Sequence, residues 1–103
     1  MYARVAIFEG DPSRMQDNIE GIRREVEASS GPPEGLPAKE FLLLADRKTG
    51  KTLSINLFET EDDLRTGDAT LSEMSPPAEA GMFRRAVETY EVAIHVSEAS
   101  FAR

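Results

Sequence analysis

The sequence predicts an α+β fold, a four-stranded antiparallel sheet with two helices on one face, in the order βαββαβ. Three observations carry that expectation. Two apolar stripes at helical spacing (Met15, Ile19, Ile22 and Val26, then Leu64, Gly67, Leu71 and Met74) are interleaved with four segments rich in β-branched, aromatic or leucine side chains. Residues 47–51, with Gly50 in them, separate the middle two segments by a loop of hairpin length. The chain's 103 residues suffice for one hydrophobic core and no second. Residues 1–97 are expected to form the domain and 98–103 a C-terminal tail.

Each element has a local reason. Residues 2–8 are short, β-branched and aromatic, and they stop at Gly10, Asp11 and Pro12, so they predict a first strand. Asp11 before Pro12 is an N-cap with proline in the first helical turn, and the stripe that follows predicts a helix over 12–29. Its other face carries Asp17, Glu20, Arg23, Arg24 and Glu27, a solvated face in which i,i+4 pairs contribute about 0.2–0.5 kcal/mol each. Residues 30–37 hold three prolines and two glycines, which neither helix nor ladder can cross. The apolar run 41–45 predicts a strand buried on both faces. Residues 52–58 alternate, with Leu53, Ile55 and Leu57 one way and Thr52, Ser54, Asn56 and Phe58 the other.

Thr60 followed by Glu61, Asp62 and Asp63 predicts a second capped helix with carboxylates at its positive end. The same acids, with Glu59, could be taken for a cation site, but capping accounts for them. Gly67 inside the stripe costs about 1 kcal/mol against alanine, which suggests a close approach to a neighbour. A last strand is predicted over 84–96, with Tyr90, Val92, Ile94 and Val96 on one face and Val87, Thr89, Glu91, Ala93 and His95 on the other.

Composition excludes several functions. Twelve basic against 19 acidic side chains give a net charge of -7, which disfavours nucleic-acid and anionic-membrane partners. There is no cysteine and one histidine, so thiolate zinc sites, iron-sulfur clusters, cysteine nucleophiles and multi-histidine metal sites are excluded. Neither a metal nor a cofactor is expected. No nucleotide-loop, hydrolase or metalloprotease motif occurs. No apolar run resembles a signal peptide or a membrane span, and the expected location is the cytoplasm.

The helices are expected to cover Ala3, Val5, Ile7, Leu53, Ile55, Leu57, Val92, Ile94 and Val96. That leaves Tyr2, Ala6, Phe8, Phe58, Val87 and Ala93 on an open face, interleaved with Arg4, Ser54, Asn56, Glu91 and His95. Large apolar groups on an open face forfeit about 1.5–3 kcal/mol of burial each, so a twofold homodimer through this face is expected. Its mixed lining also suits a small apolar or aromatic ligand. Arg4 and Glu91 form a structural ion pair or bind that ligand; His95 is a general base or a residue at the dimer edge. Asn56 binds the ligand or makes a cross-strand hydrogen bond.

With these assignments, residues 1–97 resemble the dimeric α+β barrel superfamily, most closely its antibiotic biosynthesis monooxygenase-like branch. The resemblance rests on Tyr2-Ala3-Arg4-Val5 with Phe8-Glu9-Gly10-Asp11-Pro12, on residues 57–64, on Met74-Ser75-Pro76-Pro77 and on Tyr90-Glu91-Val92. It implies a homodimer with one cavity per subunit, and in some members oxidation of aromatic phenols by dioxygen without a cofactor. Asn56 is the counterpart of the asparagine those enzymes use, whereas their tryptophan has none here. Haem degradation, which uses a helix-borne histidine, does not fit His95. Two functions follow as expectations. One is a cofactor-independent monooxygenase of a small aromatic or quinol-type molecule, with Asn56 and His95 catalytic and Arg4, Tyr2, Phe8, Phe58 and Glu91 binding substrate. The other is a non-catalytic, small-molecule-binding or stress-associated barrel protein.

Overall fold

The computed structural model describes residues 1–76 and 80–98. Strand β1 (Tyr2–Gly10) leads through a 3-10 turn (Pro12–Arg14) into helix α1 (Met15–Ala28), followed by β2 (Glu40–Asp46), β3 (Lys51–Phe58), α2 (Glu61–Ser72) and β4 (Met82–Glu91). The sheet is antiparallel with the order β2-β3-β1-β4, an α+β arrangement compatible with a ferredoxin-like fold. No helix among the described residues is long and apolar enough to cross a membrane.

The local signals act as chemistry demands. The Asp11 carboxylate accepts from the Ser13 backbone N–H at 2.9 Å and caps the first turn, which winds as 3-10 before α1 begins. Thr60 Oγ1 accepts from the Asp63 N–H at 3.1 Å, and Glu61, Asp62 and Asp63 fill the first turn of α2. In the hairpin, the Asp46 carboxylate accepts from the Lys48 N–H at 3.0 Å while Gly50 turns at φ 82°, a conformation that favours glycine. Those amide bonds hold the Asp46 carboxyl below its ordinary pKa.

Four expectations are corrected. The covered and open faces are exchanged: α2 lies on Phe58, which has no exposed surface, with Leu36 and Leu64 beside it. Register then places Tyr2, Arg4, Ala6 and Phe8 of β1, Ser54 and Asn56 of β3 and Phe41 of β2 on the helix side. The other, open face carries Val5 and Ile7, Leu53 and Ile55, Leu42 and Leu44, and Phe83 and Tyr90, while Ala3 and Leu57 at one end of it are buried. Alternation along a strand separates two faces, but both are apolar here, so it does not say which one the helices take.

The last strand ends at Glu91 rather than at residue 96. Tyr2, the first residue of β1, faces Glu91, the last of β4, and the Val92 N–H donates to the Met1 carbonyl. Ile94, Val96 and His95 therefore lie past the strand and are exposed. Strand β2, expected to be buried on both faces, is the opposite edge, and Phe41, Leu42 and Leu44 all stay substantially exposed. Finally, α2 stops at Ser72, so Met74 follows the helix instead of extending its stripe. Between Ile7 and Phe8 the β1–β4 register slips by one, leaving Arg85 as the bulged residue of β4.

Helix α1 does not lie flat. Met15, at its start, is 4% exposed; Ile19 and Ile22 are half-buried; Val26, one further step along the same stripe, is 53% exposed. The helix rises from the sheet toward its C-terminus, and a concavity opens beneath it.

Candidate functional site: a cleft between helices and sheet

The gap has two lobes. One, of about 590 Å3, is roofed by α1 and by the start of the proline-rich loop, with Leu36, Phe41, Ser54 and Asn56 in its wall. The other, of about 470 Å3, runs over Arg4, Ala6, Phe8 and Arg84 toward Met74, Ser75 and Pro76 at the end of α2. Ile22, Glu25, Phe41, Ser54 and Leu71 line both, so the lobes are continuous. Volumes of this size hold a small organic molecule.

Asn56 is 4% exposed and lines the first lobe, yet its carboxamide has no hydrogen-bond partner among the described residues. A central position in β3, between Arg4 of β1 and Phe41 of β2, places it on the helix side. The amide atoms keep contact with the open lobe, so their donors and acceptor stand free for a guest there. The cross-strand hydrogen bond expected as an alternative for Asn56 is therefore not formed.

Arg4 is equally buried, and its guanidinium is already engaged. Nε donates to Asp68 Oδ1 of α2 at 2.7 Å and Nη2 to Ser72 Oγ at 3.4 Å. The expected pairing with Glu91 does not occur, because register sets Arg4 against Thr89 and Glu91 against Tyr2 at the end of β4. Arg84 donates from Nη1 to the carbonyls of Leu71 and Met74 and from Nη2 to that of Ser72, adding donors to the acceptors at the end of α2. These two arginines fasten α2 to the sheet and shape one wall of the second lobe.

Of the residues expected to form a site, the cleft brings together Asn56, Arg4 and Phe8. It leaves out the other four. Phe58 is sealed under α2, and Tyr2 packs against that same cluster. Glu91 is exposed at the sheet's end, and His95 lies beyond β4, with Nε2 3.8 Å from Glu40 Oε2. Sequence reasoning missed Ile22, Glu25, Phe41, Leu71 and Arg84 as site residues. Ile22 and Leu71 were visible only as core stripe, and Glu25 stands three residues after Ile22, at the margin of that stripe.

Among the described residues, one fully buried side-chain polar atom has no partner. Thr52 Oγ1 is buried without a partner beside a space of about 20 Å3 between β3 and the start of α1. Among the described residues, no three His, Cys, Asp or Glu side chains converge as metal ligands would. Compared with models of known protein families and with curated proteins, the chain matches none.

Proposed function

We propose that this protein binds a small, mainly apolar molecule in the cleft between its helices and its sheet. The observation that carries the reading is the Asn56 carboxamide, buried and unpartnered at the wall of an apolar lobe. A ligand with one hydroxyl or carbonyl group satisfies that amide while its body covers Ile22, Leu36, Phe41 and Leu71.

The resemblance to antibiotic biosynthesis monooxygenase-like proteins suggests a chemistry for such a ligand: oxidation of an electron-rich quinol by dioxygen, one oxygen atom entering the product and the other leaving as water. Asn56 would donate to the phenolic oxygen as charge develops on it. His95 does not line the cleft, so the substrate's own acidity has to supply the anion. Oxygen uptake with a panel of hydroquinones and anthrones tests this. A rate above the uncatalysed one that falls at least about tenfold in Asn56→Ala supports oxidation; binding with no uptake supports the non-catalytic binding protein instead.

We also propose that the open face is covered by a second copy. Phe83 and Tyr90 are 57% and 53% exposed, and Leu42 and Leu44 stand beside a row of aliphatic side chains from β1 and β3. A twofold pairing of two such faces removes all of them from water. Sedimentation at micromolar concentration should report a dimer, and Leu44→Glu with Phe83→Glu a monomer; a wild-type monomer overturns the pairing.

A further inference from the structure

We infer that the cleft selects an organic cation, a molecule with an apolar ring system and a protonated amine. The inference rests on the proposal that the cleft binds a ligand, and it is carried by which charges along the cleft remain unmatched.

Among the described residues, the two arginines on the lining are committed to the protein itself, and the exposed Lys39 is only loosely held. Arg4 is ion-paired to Asp68, the Arg84 guanidinium is taken up by three carbonyls, and Lys39 Nζ lies 3.7 Å from Glu59 Oε2. Of the carboxylates on the lining, Glu40 lies 3.8 Å from His95 Nε2, and two others, both exposed, have no partner among the described residues. Glu25 lines both lobes, Asp17 lines the second, and neither has a hydrogen bond or an ion pair among the described residues. The independent sign that something binds beside them is Asn56, nine-tenths buried, unpartnered and in the wall of the lobe that Glu25 also borders.

Among the described residues, a carboxylate or phosphate ligand entering here meets two unpaired acids, and the one base not fixed by the protein is the exposed Lys39, itself beside Glu59. An ammonium group meets Glu25 at the place where the lobes join, with the Phe41 ring on the same lining and Phe8 in the second lobe, and aromatic faces attract cations as well. The deep polar contact is then Asn56, whose carboxamide accepts or donates as the ligand requires. The net charge of -7 draws the same class of ligand toward the protein.

The test uses three probes with one ring system, 2-naphthylmethylammonium, 2-naphthylmethanol and 2-naphthoate, titrated calorimetrically at low salt. The ammonium probe should bind about fivefold more tightly than the alcohol, and the carboxylate more weakly than either. Glu25→Gln should reduce the ratio of ammonium to alcohol affinity to about one, while Asn56→Ala weakens all three. Raising salt to about 0.5 M should erase the preference. If the alcohol binds and the carboxylate matches the ammonium probe, or if Glu25→Gln leaves the preference intact, the charge inference is overturned and the cleft stands. If none of the three binds, both fall.

Discussion

Gly67 of α2 lies against the ring of Phe58 so closely that a β-carbon at position 67 would overlap the ring. This contact seats α2 on the face of the sheet that Phe58 occupies. Only two residues separate Phe58 from α2, and the glycine lets the helix backbone settle on the aromatic side chain that ends β3.

Gly67→Ala should therefore destabilise the protein by about 1–3 kcal/mol, because overlap with a sealed ring outweighs the roughly 1 kcal/mol that alanine gains in helix propensity. Urea unfolding monitored by circular dichroism measures it. Phe58→Leu in the same chain should return part of the loss, since the smaller side chain makes room for the added carbon.

Asp68→Ala should cost about 1–3 kcal/mol, since it leaves a buried guanidinium facing a helix with no counter-charge. Asp68 itself is about half exposed, which keeps the loss below that of a fully buried pair. The double variant Arg4→Met with Asp68→Ala should be more stable than Asp68→Ala alone. A strictly additive cycle would show that the two residues are not coupled.

Tyr90 donates from its hydroxyl to Glu88 Oε1 at 2.9 Å, and the carboxylate opposes phenolate formation, which raises the phenol above its ordinary 10.0. Because the folded value is the higher one, the stabilisation is complete below the ordinary phenol pKa and disappears as pH rises through the raised one. Ultraviolet titration of a Tyr2→Phe chain, which isolates Tyr90, should show the upward shift, and adding Glu88→Gln should lower the midpoint.

Thr52→Val should leave stability unchanged or raise it by up to about 1 kcal/mol, since the buried hydroxyl it removes has no partner. A loss of about 1 kcal/mol would show instead that the hydroxyl binds a water in the adjoining space, which is just large enough for one. Calorimetric melting separates the two outcomes.

What the sequence made legible was local. Asp11, Thr60 and Gly50 announce their caps and turn because each acts on groups within a few residues of itself, and the element order follows from stripe and strand lengths. The exchanged faces were hidden because Phe58 and Leu57 are both apolar, and only the seat of α2 distinguishes them. The end of β4 depends on where β1 begins, some 90 positions away. Asn56 could be singled out as an amide inside a strand; that it faces the cleft, while Tyr2 and Phe58 fill the core and His95 falls outside, needed the register and the lift of α1.

The two edges of the sheet are unlike each other, and the difference governs how chains join edge to edge. Strand β4 is distorted by the Arg85 bulge and carries charged groups along its length, so it offers a poor template for another strand. Strand β2 has no bulge against β3 and is apolar from Phe41 to Ala45. Strand-to-strand growth therefore has one receptive terminus per molecule. Two single molecules that meet through it consume each other's template, whereas the proposed face-to-face dimer carries two such edges and can extend from both.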